Sequence, residues 1–488
     1  MRLFPLAVAA TVLSAASVAA AAEIPVKTSA ELTAAIAAAK AGDTLVLASG
    51  TYALTGASCS ANGTPTAPIT VKSATPLGAK IRFDGLEGFK VRGAHWHFEG
   101  LDVQGVCAAD SSCEHAFHVG GGAVGFVLRG SRVVDFNAQL KVNSDKDSAG
   151  GWQTPHGGLV EGNEIYDTHA RATSNPTTKL NIDTGDGWVV RANFLHDFQK
   201  GGGDNVSYGA FMKSGGKDGV FERNLVWCEK TLKGGTRIGL SFGGGGTAPQ
   251  FCAPAFDAGK PCDPEHTGGT MRNNVILECS DVGIYLNKSK NTKLLHNTLI
   301  ATAGIDFRFA STTGEARANV LAGKIRGRDG GTFTGVDNLE NLTPADFAGW
   351  YVAPLAADLR KKGDLAKLLD KATAASVADD YCARTRTGTH DLGALEHSLG
   401  DCDTTKTWPG GGITPPPPSD AGVDAAPPPV DGGDAAIPAT DGGDDAGAGA
   451  APTEDAGGCG CAVPRRSDAP LTLLGLAVAL TLARTRRR

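Results

Sequence analysis

One short pattern recurs along the middle of this chain, and it constrains the fold more than any other feature. A glycine or small polar residue is followed by alternating apolar residues, an asparagine and an apolar pair. Copies centre on Asn163, Asn193, Asn224, Asn274 and Asn297, with weaker ones at Gly100, Ser131 and Asn319. Most steps are 22 to 32 residues, the length of one solenoid turn; Asn224 to Asn274 is longer. Alternation within each copy marks strands that bury one face. No copy can bury that face alone, so the copies must stack. The expectation is an all-β chain, a right-handed parallel β-helix. Asparagine suits its corners because it tolerates a left-handed backbone, and stacked copies can form a hydrogen-bonded ladder. These asparagines therefore read as structural.

The flanks fit that frame. Thr28 to Lys40 reads as a short amphipathic helix, capped by Thr28 or Ser29, that plugs the open end of the core. His390 to Glu396 has the look of a closing segment. The long step contains an insert at about 247–266, so the β-helix domain is set at 23–403. Of the eleven cysteines, nine lie in this domain. Local spacing pairs Cys107 with Cys113, Cys252 with Cys262, and Cys382 with Cys402; Cys228 and Cys279 follow the asparagine in adjacent copies and should stack or bond. No C-x-x-C or Cys/His cluster has zinc spacing, so no zinc site is expected from the sequence.

Outside the domain the composition changes. Residues 1–22 combine a short positive start, an apolar run and a small-residue cleavage site, the pattern of a signal peptide. Export implies an oxidising compartment, where cysteines pair. Residues 404–458 are rich in Pro, Gly, Ala and Asp, and cannot bury enough surface to order themselves, so this stalk is expected to be disordered. Residues 459–488 carry Cys459 and Cys461, an apolar run from Leu471 to Ala483, and terminal arginines. That run is short for a transmembrane helix. This order resembles the C-terminal sorting tail of myxobacterial surface proteins; a plain membrane anchor is the alternative. The resemblance implies a secreted or surface location, or the outer membrane of a Gram-negative bacterium, with the tail meeting membrane or sorting machinery. A net charge of -6 gives no reason to expect nucleic acid. A monomer is expected.

The run Leu32 to Tyr52, with Pro68 to Val71 and His97 to Leu101, resembles the chondroitinase B and alginate lyase family of β-helical polysaccharide lyases. In that family a Lys-Ser step and an arginine on the next rung form the catalytic pair, beside a calcium held by Asn and Glu. The step Lys213-Ser214 matches the first, and Arg237 is the arginine nearest the second. Two departures stand out. Aligning the two strands sets Ser241 above Lys213, which displaces Arg237 by four residues, about 13 Å. The family's glutamate ligands are also absent, so calcium would fall to Asn181, Asp183, Asp186 or Asp204.

Uronate β-elimination needs a base for a carbon-bound proton and a cation beside the neighbouring carboxylate. Alternation that buries Met212 turns Lys213 outward. Counting back from successive asparagines puts Asp183, Lys213, Lys288 and Arg308 along one outer face, a charged column suited to an anionic polymer. Tyr208 on the same strand, Lys288 and Arg308 are the expected substrate contacts. Two other readings stay open. The carboxylates could serve an inverting hydrolase of polygalacturonase type, whose carboxyls stand about 6.5 to 9.5 Å apart. The face could also bind glycan without cleaving it, as a surface adhesin would.

Overall fold

The computed structural model describes residues 23–244, 246–373 and 377–405. The expected signal peptide and sorting tail lie outside them, as does the expected stalk beyond Thr405; Thr404 is buried in the domain. Among the described residues, no helix is long and apolar enough to cross a membrane.

Three long parallel sheets wind around one core. The first has twelve strands, from Glu23–Val26 to Thr332–Val336. The second has ten, from Gly50–Leu54 to Val320–Leu321. The third also has ten, from Ala57–Cys59 to Lys324–Arg328. Each turn of the chain adds one strand to each sheet, the arrangement that a 22- to 32-residue repeat requires. The inward residues form continuous stacks; Phe89 lies on Phe117 with centroids 5.2 Å apart, and both pack with Phe98. Helix Ser29–Ala38 seals the first rung by burying Leu32 and Ile36. Its cap is Thr28, whose hydroxyl accepts from the Glu31 amide.

The asparagine ladder is present. Nδ2 of Asn163 donates to Oδ1 of Asn193 at 2.9 Å, and the same bond repeats through Asn224, Asn274, Asn297 and Asn319 to Asn338. The left-handed backbone falls one residue earlier than expected, on Ala192, Arg223, Asn273, His296 and Ala318. The asparagine instead has its amide occupied. Its Oδ1 accepts from the preceding rung while its Nδ2 spans to a carbonyl of that same preceding rung, as Asn224 does to Val190. A left-handed L-residue costs about 1–2 kcal/mol, and the ladder holds the turn against it.

All four expected disulfides form: Cys107–Cys113, Cys228–Cys279, Cys252–Cys262 and Cys382–Cys402; Cys59 is free and buried. The second ties adjacent rungs across a sequence separation of 51. A cross-link over a loop of that size stabilises by about 4 kcal/mol. The double variant Cys228→Ser/Cys279→Ser should lose that much in urea unfolding.

Residues after the last rung turn back along the molecule. Leu392, Ala394 and Leu395 pack on outward residues of the second sheet, Leu225, Val275, Leu277 and Val320. The Gly393 amide donates to Ala318 O and the Ala394 amide to Thr298 Oγ1. The segment His390–Glu396 therefore covers a side of the helix. His266 stacks on Phe242 at 4.3 Å with both ring nitrogens buried and unpartnered. Burial pushes its pKa down to about 3. The unfolded chain takes up this proton near pH 6.5 while the folded chain does not. Stability should therefore fall as pH drops from about 6.5 towards 3, and His266→Phe should flatten that fall in thermal melts recorded against pH.

Candidate functional site on the third sheet

The candidate residues lie on the outer face of the third sheet, and its register decides which of them meet. One line of outward side chains runs Lys90, His118, Lys141, Asn181, Phe211, Ser241, Tyr285, Asp306. Two positions along the strands, a second line runs Asn143, Asp183, Lys213. Met212 pairs with Phe242 and Phe242 with Leu286, so this line continues at Asn287, which pairs with Arg308. Asp183, Lys213 and Arg308 thus share a column, as the repeat predicts. Lys288 does not. It sits one residue past the line in a left-handed turn, 4.0 Å from Asp263.

At the centre, the Asp183 carboxylate lies between two ammonium groups. Lys213 Nζ is 3.3 Å from Oδ1, and Lys141 Nζ bonds Oδ2. Burial alone would raise the Asp183 pKa, but Lys141 and Lys213 outweigh it and hold the carboxyl below its ordinary range. Lys141 also reaches Asn181 Oδ1 at 3.3 Å. An apolar patch adjoins the charges: Tyr208, Phe211, Ile238, Val282 and Tyr285 cluster outside the core. Phe211 packs under Lys213, whose Nζ is 4.9 Å from the ring centroid. Arg308 binds Tyr285 Oη at 3.0 Å and Asp329 at 2.7 Å.

The insert closes over this centre. Lys213 Nζ donates to Gly246 O at 3.1 Å, and the lysine side chain is 7% exposed. Buried Glu265 staples the strap down by accepting from the Ser214 amide and from the Thr247 amide and hydroxyl. Gly243 and Gly246 carry φ of +71° and +79°, which lets the chain leave the rung and return across it. Beyond the strap, Phe256 of the insert stacks on Trp152 at 4.4 Å.

The structure separates the expected catalytic pair. Arg237 pairs in register with Ser207, six strand positions before the line of Lys213, about 20 Å away. Its guanidinium is buried and donates to the carbonyls of Cys228, Leu232 and Gly234. The chain after Cys228 curls so that its carbonyls converge, and Arg237 is their donor. Arg237→Met should cost about 2–4 kcal/mol of stability through the stranded carbonyls, yet leave turnover per folded molecule unchanged. Paired melts and rates would check this.

The expected calcium ligands do not converge either. Asn181 and Asp183 are engaged by lysines. Asp186 faces His156 at 3.7 Å across an exposed turn, and Asp204 pairs with Lys200 before the strand begins. An acid already neutralised by two ammonium groups is a poor calcium donor, so these four residues do not fit that ion. Lys141, Phe211, Tyr285 and Glu265 are site residues that the repeat counting passed over. Lys141 could have been found by aligning Leu140-Lys141-Val142-Asn143 with Leu180-Asn181-Ile182-Asp183. Glu265 could not, because its position depends on how the insert folds.

Three stacked sheets and this geometry define a parallel β-helix protein. Within that class, residues 26–126 match the family model described as Chondroitinase B. No curated protein sequence matches the chain. Among solved structures, the pectate lyase Pel9A aligns with TM-score 0.52 at 15% identity over 77% of this chain and 97% of its own. An alginate lyase from Paenibacillus sp. str. FPU-7 aligns with TM-score 0.37 at 15% identity, covering 66% and 99%. A rhamnogalacturonan lyase gives 0.42 at 15%, covering 66% and 86%. At 15% identity, the likeness to the pectate lyase shows the fold alone. The matched residues 26–126 end before Lys213.

Proposed function

We propose that this chain is a secreted or surface-displayed lyase that cleaves an anionic, uronate-containing polysaccharide by β-elimination. The observation that carries the reading is the Lys141–Asp183–Lys213 cluster, set beside the Tyr208, Phe211 and Tyr285 patch on the outer face that the C-terminal segment leaves uncovered. An extended polymer can lie across rungs spaced about 4.8 Å apart, with its carboxylates towards the lysines and Arg308; Tyr208, Phe211 and Tyr285 are buried and form the floor beneath the charges. Lys213 is the base. Its ammonium, paired with Asp183, must first lose a proton to water; the free Nζ then takes the proton from the carbon next to the uronate carboxylate. The electron pair forms the new carbon–carbon double bond, the bond to the leaving oxygen breaks, and that oxygen takes a proton from water. Lys141 neutralises charge that builds on the carboxylate. No step is routed through calcium. The family match at residues 26–126 and the β-helix of the pectate lyase support this reading.

The test is direct. Full-length protein is incubated with alginate, chondroitin, pectate and rhamnogalacturonan, each with calcium and with chelator. A new ultraviolet-absorbing double bond is the expected product. Reducing ends without it would favour a hydrolase, and no cleavage of any polymer would favour the adhesin. Display at the surface, by way of the signal peptide and sorting tail, belongs to the same proposal. Cell fractionation with sequencing of the mature N-terminus checks it.

A further inference from the structure

One and two rungs before Lys141, on the same outer face, three metal-binding side chains converge. Glu87 comes from strand Glu87–Val91, and His115 and His118 from the next strand, His115–Gly120. Their donor atoms all lie within 4.8 Å of one another. Both imidazole Nδ1 atoms face one oxygen, Glu87 Oε1, at 2.5 Å from His118 and 3.5 Å from His115.

The hydrogen bonds around the group define what is missing from it. Asn143 Nδ2 donates to Ser144 O, which turns its Oδ1 towards His118 Nε2 at 2.6 Å. His118 Nε2 is then the protonated nitrogen, and its Nδ1 presents a lone pair to a carboxylate oxygen. Two acceptors 2.5 Å apart repel unless a positive charge lies between them. His115 Nδ1 is buried at the same point without a hydrogen-bond partner. One proton on His118 would satisfy that ring but leave His115 Nδ1 bare; a cation at the shared point satisfies all three donors. Lys90 Nζ occupies the other carboxylate oxygen, Oε2, at 2.9 Å, and leaves Oε1 free to ligate.

We propose that Glu87, His115 and His118 bind a divalent transition-metal ion of the zinc type. Two imidazoles and one carboxylate select such an ion over calcium, which takes an all-oxygen shell. Ligand atoms around tetrahedral zinc stand about 3.3 Å apart, given bonds of about 2.0–2.1 Å, and the three donors need only small shifts to reach that spacing. Asn143 is the outer partner that fixes the His118 tautomer, a role such groups hold at metal-bound histidines. Three protein ligands leave a fourth position for water or for a carboxylate oxygen of a ligand on this face. This proposal does not depend on Lys213 or on cleavage of any polymer.

The test uses the full chain, stripped with chelator and dialysed, then titrated with zinc chloride in a calorimeter, with calcium chloride as the comparison. One zinc site and no competing calcium heat are expected. X-ray absorption at the zinc edge should show nitrogen and oxygen neighbours at about 2.0–2.1 Å. His115→Ala leaves the His118–Glu87 contact in place, so it should weaken zinc binding about a hundredfold while the metal-free melting temperature stays unchanged. His118→Ala and Glu87→Gln should do the same to binding. The proposal is overturned by an absence of zinc heat in the parent protein. It is equally overturned by affinity that survives all three substitutions, or by sulfur neighbours at about 2.3 Å, which would put the ion on Cys459 and Cys461.

Discussion

Lys213→Ala should lower the rate of unsaturated-product formation by roughly a hundred- to ten-thousandfold, the range that a positioned general base contributes. KM should move far less, because Lys141 and Arg308 still hold the polymer. Lys213→Arg tests the role more sharply. It keeps the charge beside Asp183 but replaces an amine that can be neutral with a guanidinium that stays protonated. If charge alone mattered, arginine would restore activity; if Lys213 takes the proton, it would not. A Lys213→Ala protein with full lyase activity would remove Lys213 from the mechanism. The fold should survive either change, since the Lys213 contacts lie on the outer face and the core stack beneath, Met212 on Phe242 and Ile182, is untouched.

The second large effect is on stability. Asn224 is buried and bonded on four sides: its Nδ2 donates to Val190 O and Asn274 Oδ1, and its Oδ1 accepts from the amide and side chain of Asn193. Asn224→Ala strands those groups in the interior, at about 1–3 kcal/mol for each that finds no water. It also loosens the left-handed turn at Arg223. The expected loss is about 3–5 kcal/mol, read as a shift of the urea midpoint without change in slope. Asn338 lies at the end of the ladder and is partly exposed, so Asn338→Ala should cost much less. Equal losses at the two positions would mean that the ladder is incidental.

The polymer's path also follows from which faces are covered. Leu392, Ala394 and Leu395 cover the later rungs of the second sheet, at Leu225, Val275, Leu277 and Val320. On the third sheet the polar residues Lys141, Asp183, Asn287 and Arg308 stay partly exposed, while Phe211, Ser241 and Tyr285 between them are buried.

The sequence by itself determined the periodic part of this protein. Asn163, Asn193, Asn224, Asn274 and Asn297 mark the corners because a repeated backbone needs the same side-chain hydrogen bond at each turn. The cysteine pairs followed because bonded residues were close in sequence or one rung apart. Asp183, Lys213 and Arg308 fell in one column for the same reason, as equal spacing along a solenoid becomes alignment across it. What only the tertiary structure decided lies where the repeat breaks. Arg237 left the expected pair because the carbonyls after Cys228 converge on it. Lys288 left the column by one residue of turn. The Glu265 strap depends on an insert with no repeat to predict it. Glu87, His115 and His118 meet because two strands, 28 positions apart at Glu87 and His115, pair in register. Neither histidine carries a recognisable spacing in sequence. Register across rungs is set by turn lengths and by packing of the core, and those are settled only when the whole helix is wound.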